Sequence, residues 1–322
     1  MQSLVNSDSL NQTKLAYKID TGLKNITTSI QKFAEVVVES KKDKQDQMMV
    51  AELSPLMSVE NIQLNLKQKI NTEGTNIRGC SLLPEGRMVF SCSSSNSHTV
   101  RFINKEGIES FQICKDKTES RSHDTVYIKD TNSVAVSSGG GDNGCITILD
   151  IESQKVMTTI SMDKYNYGMA VRGRTIYYCA GYKGLKMLNL SDRSVSDIIS
   201  SDMLRVNYLA TSGDKLYYTN HSTHAVTCCD LHGTTQWEFK DERVLQIPLG
   251  ISVDNYGNAY VVGYNSSNVV VISPDGQRYR QLLSSTDGLS NPSVLDYDKS
   301  TNRLLVINRN GTAFLFDVTR GQ

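Results

Sequence analysis

The sequence predicts an all-β protein: a six-bladed β-propeller closed by a strand from its N-terminal side, preceded by a coiled-coil-like α-helix. Three observations carry this prediction. Short runs of β-branched and aromatic residues, separated by Gly, Asn, Asp and Ser, fill the chain from about residue 76 to its end. Turns recur at Pro84-Glu85-Gly86, Asp130-Thr131-Asn132, Arg172-Gly173-Arg174, Ser212-Gly213-Asp214, Asn255-Tyr256-Gly257-Asn258 and Asp298-Lys299-Ser300, at intervals of 40 to 46 residues. Periods of roughly 40–50 residues with several strands each mark propeller blades, because one such unit cannot bury both of its faces without copies of itself. Ahead of the repeats, Ile19, Leu23, Ile26, Ile30, Phe33 and Val37 are spaced alternately four and three apart, as on a coiled-coil seam.

These signals divide the chain into a helical segment over residues 1–50, a linker over 51–60 and a propeller over 61–322. Lys24, Gln31 and Lys32 fall outside the seam, so the helix has one apolar stripe that pairs it with a second chain or lays it on the propeller. A propeller needs no such cover, and homodimerisation through the helix is the expectation. The charged stretch Lys41 to Gln47 frays the helix, and Ser54-Pro55 marks the boundary. Ile62 to Ile70 alternates apolar and polar residues, as on an outer strand with one wet face. The last repeat supplies three strands before the chain stops, so Ile62 to Ile70 is expected to complete the sixth blade and close the ring.

The unit from Leu249 to Gly276 is the clearest. Val253-Asp254 ends one strand, Gly257-Asn258 makes the turn, Tyr260-Val261-Val262 is the second strand, Asn265 to Val269 is an Asn-rich break, and Pro274-Asp275-Gly276 follows the third strand. This order resembles the NHL repeat, although Ser267-Asn268 stand where that family usually has His-Arg. A heptad helix leading into such a propeller resembles the C-terminal part of the tripartite-motif (TRIM-NHL) family, whose members carry RING and B-box zinc modules and act as ubiquitin ligases. The first cysteine here is Cys80, so residues 1–79 hold no zinc module, as expected of a fragment or of a relative that kept only the recognition end. The resemblance therefore implies a recognition end without the ligase, with antiparallel helix pairing.

Composition narrows the function. Lys and Arg balance Asp and Glu at 34 each, leaving no global field to draw the chain to nucleic acid or a membrane. The balance is 9 to 8 over residues 1–71 and 25 to 26 over the rest. There is no secretory signal in the first residues, and no apolar run approaches the roughly 18 residues of a membrane span. Seven cysteines at irregular spacing, most within apolar runs, read as reduced core thiols of a cytoplasmic protein.

Propellers present function on the loops joining outer to next inner strand and second to third strand. Those loops carry Tyr165, Tyr167, Tyr182, Tyr208 and Tyr264, interleaved with Lys115, Lys164, Lys183, Arg205, Arg243 and Arg309. Aromatic residues with interleaved cations suit a protein partner or stacked single-stranded RNA. His221-Ser222-Thr223-His224 with Cys228-Cys229 has zinc-type residues, but adjacent strand residues point to opposite faces, so no metal site is expected. Gly139 to Gly144 lacks the Lys-Ser/Thr of a phosphate loop and reads as a hairpin. Asn76, Asp124, Asn166, Asn207 and Asn291 each precede an inner strand and offer oxygens for a calcium-dependent propeller hydrolase, with only one carboxylate among them. The expectation is a non-catalytic module without cofactor or metal that binds a protein partner, with RNA binding as the alternative.

Overall fold

In the computed structural model, residues 58–93, 98–115, 122–140, 144–162, 164–200 and 206–321 are described. The heptad seam from Ile19 to Val37 and most of the 51–60 linker lie outside them. The unit from Leu56 to Gln322 consists of six four-stranded antiparallel sheets and one two-stranded ribbon among the described residues. Blade 1 comprises Ile77–Leu82, Met88–Ser93, His98–Ile103 and Glu109–Lys115. Blade 2 comprises Thr125–Ile128, Ser133–Ser137, Cys145–Asp150 and Lys155–Ser161. Met169–Arg172, Thr175–Cys179, Leu185–Asn189 and Val195–Ile199 make blade 3. Val206–Ser212, Lys215–Asn220, Ala225–Asp230 and Thr235–Phe239 make blade 4. Blade 5 is Pro248–Val253, Ala259–Gly263, Asn268–Ile272 and Tyr279–Leu283. The six inner strands touch in cyclic order, the last against the first.

Blade 6 contains Pro292–Asp298, Arg303–Asn308 and Thr312–Arg320, and its fourth strand is Ile62–Asn71. Ile62 pairs with Arg320 and Asn71 with Thr312, so the closing strand runs the full length of its partner. The alternation seen in the sequence holds at the ends of the strand, where Ile62 and Ile70 are buried and Gln63 and Lys69 face outward, and breaks at its middle, where a register shift between Leu66 and Gln68 leaves Leu66 exposed.

Apolar layers between neighbouring blades form the core. Tyr260, Val262, Val269 and Val271 of blade 5 meet Leu295, Tyr297, Leu304 and Phe316 of blade 6. Ala135, Ile146 and Ile148 meet Met169, Ile176 and Tyr178 between blades 2 and 3. Both faces of a middle strand are thus covered, which is why second and third strands read as continuous apolar runs such as Val269 to Ile272. The adjacent Cys228 and Cys229 show the two-sidedness directly, since they enter two different apolar layers. Both thiols are free, as are buried Cys80, Cys92 and Cys179. Trp237 packs edge-on against Tyr217 and donates Nε1–H to the Pro274 carbonyl of blade 5 at 2.9 Å, so it bridges two blades.

The NHL-like turn is built around one buried carboxylate. Asp254 accepts from the Tyr256 and Asn258 amides at 2.8 and 2.9 Å and from Asn258 Nδ2 at 2.8 Å. Gly257 sits at φ +84°, a conformation that glycine adopts without a Cβ penalty. Arg320, at the end of the closing strand's partner, reaches Asp254 Oδ2 at 2.9 Å and stacks over the Tyr256 ring at 4.0 Å.

Near the axis the blades are stitched by polar side chains. Ser81 Oγ donates to the Thr125 carbonyl, Ser137 Oγ to Tyr167, Thr219 Oγ1 to Leu249 and Ser293 Oγ to Ile77, each at 2.6 to 2.8 Å. Packing there is tight enough that a Cβ on Gly79 would lie 2.6 Å from the Asp124 Cα, and one on Gly250 2.6 Å from the Val294 Cα.

Candidate functional site

Four inner strands begin with an irregularity, and those irregularities aim residues at one end of the central channel. Pairing to the second strand skips between Ile77 and Gly79, Val206 and Leu209, Pro248 and Ile251, and Pro292 and Val294. A bulge leaves residues out of the ladder and turns their side chains. The skipped residues include Arg78, Tyr208, Leu249 and Ser293, and all four line a cavity of about 520 Å³ at the channel mouth. Loops on the same face add His123, Tyr165, Tyr167, Tyr182, His221, Tyr264 and Arg309.

An arc of aromatic rings forms one wall. Tyr182 meets Tyr165 edge-on at 6.1 Å, Tyr165 stacks near-parallel with Tyr167 at 6.1 Å, Tyr167 meets His123 at 5.2 Å, and His123 meets Tyr208 at 5.4 Å. A small ribbon holds this arc: Tyr165–Asn166 pairs with Gly139–Gly140. Asn166 is buried, and its Oδ1 accepts from the Ser138 amide and hydroxyl. Gly181, at φ +59°, lets the backbone approach Tyr165; a Cβ there would fall 2.8 Å from the tyrosine's own Cβ. The glycine-rich stretch read as a hairpin does join the second and third strands of blade 2, and its first two residues brace the tyrosines.

The opposite wall carries charge. Arg309 donates Nε–H to Asn76 Oδ1 at 2.6 Å and lies 5.6 Å from the Tyr264 ring centre. Arg78 and Arg309 line the cavity and no carboxylate does, among the described residues. His123 is 6 % exposed, and burial first, then the Arg78 charge, lower its pKa to about 3, so the ring is neutral near pH 7. Its Nδ1 is buried without a hydrogen-bond partner among the described residues. Buried polar atoms are normally paired, so this nitrogen is an exception at the base of a cavity.

Tyr208 closes the base. Its hydroxyl donates across the channel from blade 4 to the Arg78 carbonyl of blade 1 at 2.6 Å. It also lines a second cavity of about 340 Å³ beneath. That lower cavity has the opposite character, with Asp124, Asp296, Asp298 and Lys299 in its wall. Burial pushes the Asp124 carboxyl up to about 8 despite amide donors from Met169 and Thr125 at 2.8 Å. Asp296 is raised to about 6 by burial, against a hydrogen bond from the Leu82 amide. Among the described residues, the space above Tyr208 is thus lined by Arg78 and Arg309, and the space below by three aspartates and Lys299.

Tyr165, Tyr167, Tyr182, Tyr208, Tyr264 and Arg309, singled out from the sequence, share the upper cavity. Lys164 and Lys183 are exposed beside it, the Lys164 ammonium 6.0 Å from the Tyr165 ring centre. Arg243 lies on an exposed turn outside the lining and forks onto Asp241 at 2.8 and 3.0 Å, a local contact that uses its in-plane N–H donors. Lys115 ends the outer strand of blade 1; its side chain, and all of Arg205, fall outside the described residues. Sequence reasoning missed Arg78, His123, His221, Leu249 and Ser293. A charged Arg78 between Ile77 and Gly79 was the available signal, because a cation inside an inner strand needs a wet destination.

Three members of the oxygen ring considered for calcium have their oxygens in protein contacts, and the side chain of Asn207 lies outside the described residues. Asn76 Oδ1 takes the Arg309 guanidinium, Asn166 Oδ1 takes Ser138, and both Asp124 oxygens take backbone amides. Asn291 donates Nδ2–H to the Tyr264 carbonyl at 3.2 Å. His224 is equally committed, its Nδ1 accepting from the Ile247 amide at 2.9 Å. No cluster of three or more His, Cys, Asp or Glu suited to a metal ion occurs among the described residues. No helix among them is long and apolar enough to cross a membrane.

Comparison with known proteins gives the fold and stops there. No family's sequence profile matches the chain, and no curated protein is significantly similar to it. Among solved structures, a protein of unknown function from Bacteroides thetaiotaomicron superposes with a TM-score of 0.61 at 12 % identity, covering 80 % of this chain and 76 % of that one. A catalytically inactive virginiamycin B lyase from Staphylococcus aureus, solved with quinupristin, superposes with a TM-score of 0.54 at 14 % identity, covering 79 % and 88 %. The chain is a β-propeller, a fold consistent with a binding or scaffold role.

Proposed function

We propose that this protein is a non-catalytic recognition module whose upper cavity captures a segment of a partner protein in the cytoplasm. The carrying observation is the convergence of five tyrosines and two arginines from five blades or their loops on one cavity. Tyr and Arg are residues that concentrate binding energy at interfaces, Tyr because it offers large contact area with few rotors to freeze, Arg because its planar guanidinium both stacks and donates several hydrogen bonds. The N-terminal heptad segment pairs two chains in this reading, so that two weak sites act as one stronger site. The sequence's resemblance to the recognition end of TRIM-NHL proteins is the ground for reading the partner as part of a ubiquitin-linked process.

Incorporating the photoreactive residue p-benzoylphenylalanine at position 182 of the intact chain in cells tests the site. Tyr182 is 50 % exposed at the rim, and Tyr256, 46 % exposed and outside the cavity lining, serves as control. Protein adducts at 182 and none at 256 are expected. Equal labelling at both positions refutes the assignment of the site.

Single-stranded RNA is the alternative favoured by one observation, the stacked Tyr165–Tyr167 pair with Lys164 beside it. RNA adducts at 182 in place of protein adducts would establish it.

A further inference from the structure

We propose that the propeller carries a second binding surface, a groove between blades 2 and 3 that takes an aliphatic side chain from an acidic segment of a partner protein. The groove lies among the turns joining inner to second and third to fourth strands, on the face opposite the tyrosine-lined cavity. It stands whether or not that cavity is a recognition site.

The groove exists because this seam of the ring is closed differently from the next two. In blades 4 and 5, the turn from third to fourth strand presses a positive-φ glycine onto the outer strand of the preceding blade. A Cβ on Gly233 would lie 2.7 Å from Ile199 Cγ1 of blade 3, and one on Gly276 2.6 Å from Trp237 Cδ2 of blade 4. Backbone seals those seams. The corresponding turn of blade 3 has Arg193 in the left-handed region instead, at φ +61°. Its side chain crosses the seam, and Nη2 donates to Thr158 Oγ1 on the outer strand of blade 2 at 3.4 Å. A cavity of about 140 Å³ remains.

The floor of that cavity is the apolar layer between the two blades. Ile128, Ile148 and Ile160 are buried there, and Leu190 is half-buried. Met157 stands 56 % exposed in the lining, because a register shift between Val156 and Thr158 leaves it out of the ladder. Its unbranched thioether adapts to the shape of what it meets. The strand that carries it is the outer edge of blade 2, and the same bulge interrupts the row of backbone groups with which a partner strand would pair. Side chains therefore make the contact. The volume is below the roughly 300–1,000 Å³ of ordinary small-molecule sites, so the groove takes one aliphatic side chain rather than a whole ligand or a lipid tail.

Charge selects the segment. Arg174 and Arg193 are in the lining with one carboxylate, Asp130, among the described residues. Both arginines are exposed, and neither has an ion pair among the described residues. A guanidinium offers five donors and matches a carboxylate two bonds at a time. A segment with carboxylates on either side of a Leu, Ile or Met meets the arginines while its aliphatic side chain enters the groove. A basic segment meets two like charges there.

The test uses the full chain and a fluorescent decapeptide of Glu and Ser with one central Leu flanked by Glu, read by polarisation. The same peptide with Ala for Leu, and with Lys for every Glu, is measured beside it. Saturable binding is expected, weakened about tenfold by either change and weakened further by salt. Arg174→Gln, Arg193→Gly and Met157→Ala should each weaken it several-fold, and Tyr182→Ala should leave it unchanged. Arg193→Gly removes the guanidinium while giving the turn the residue type found in blades 4 and 5, so thermal unfolding should show no loss of stability. Absence of saturable binding overturns the proposal. Equal binding of the Ala or the Lys peptide, or indifference to all three groove variants, does the same. Loss of binding with Tyr182→Ala places the peptide in the upper cavity and refutes the groove. Octanoate competing at the affinity of the Leu peptide shows a site for small amphiphiles and refutes the protein segment.

Discussion

Replacing Arg320 by Gln isolates the contact that locks the ring. Its side chain is 13 % exposed and the carboxylate it meets, on Asp254, is 1 % exposed. Removing one partner of a buried ion pair typically costs about 3–5 kcal/mol, because the other charge stays buried without compensation. Asp254 keeps three donors within 2.9 Å, from Tyr256 and Asn258, so the lower end applies, about 3 kcal/mol. Loss of the guanidinium from the Tyr256 face, 4.0 Å away, adds roughly 0.5–1 kcal/mol. The total of about 3.5–4 kcal/mol corresponds to a fall in Tm of roughly 7–16 °C for a domain of this size. Urea unfolding of the intact chain, followed by the fluorescence of Trp237, measures it, and Asp254→Asn completes a double-mutant cycle. The double variant is expected to be more stable than the sum of the single losses, since the uncompensated charge is gone. A cost below about 1 kcal/mol for Arg320→Gln, or strict additivity, would show that the pair does not hold the closure.

Three further outcomes follow from the same geometry. Gly79→Ala and Gly250→Ala each drive a Cβ into the backbone of the next blade and should destabilise by about 2–3 kcal/mol, whereas Gly213→Ala, with nothing within 4 Å, should cost less; equal losses at all three in urea titrations would contradict the close approach. Asp124 has a folded pKa of about 8, above the roughly 3.9 of an unfolded aspartate, so its stabilising neutral form is fully present below pH 4 and is lost as pH rises through 8. His123 acts in the opposite sense, with stability present above pH 6.5 and lost as pH falls toward 3, while Asp296 completes its change near 6. From pH 6.5 to 8, Asp124 therefore sets the slope: the wild-type urea midpoint should fall with pH and that of Asp124→Asn should stay flat, and a wild-type slope retained in the variant rejects the assignment. Trp237→Phe keeps the ring but loses the 2.9 Å bond to Pro274, an expected cost of about 1 kcal/mol by thermal unfolding, with no loss marking that bond as solvent-replaceable.

Much of the fold was visible in the sequence because propeller strands are punctuated locally. Asn132, Gly173, Gly213 and Gly257 occupy positive-φ positions, so the turns announced themselves at a regular interval. The closing strand was legible from an absence, the missing fourth strand of the last repeat, together with the alternation of Ile62 to Ile70. The site was half legible. Tyrosines on loops stood out, and five of them share the cavity. Arg243 stood out equally, but its neighbour Asp241 satisfies it locally. Ser293 was hidden because an alternating pattern assigns each strand residue a face and a bulge breaks that assignment without a sequence mark, whereas Arg78 at least left the signal of a cation inside an inner strand. His123 and Asp124 could not be interpreted either, since their meaning depends on blades 1, 3 and 4 meeting at one axis.

The pairing of Ile62–Asn71 with Thr312–Arg320 also orders events during biosynthesis. The strand that finishes the ring is the first of the propeller to leave the ribosome, and its partner is the last. At synthesis rates of about 5–20 residues per second, tens of seconds separate the two. Throughout that interval blades 1 to 5 can form their own sheets, but blade 1 and the unfinished end each present an uncovered apolar flank, and Ile62 to Ile70 remains an unpaired strand. Emergence of Thr312–Arg320 is thus the step at which an open, association-prone chain becomes a sealed ring. A cell that shortens that interval, or shields the waiting strand, raises the yield of this protein without changing the stability of its finished form.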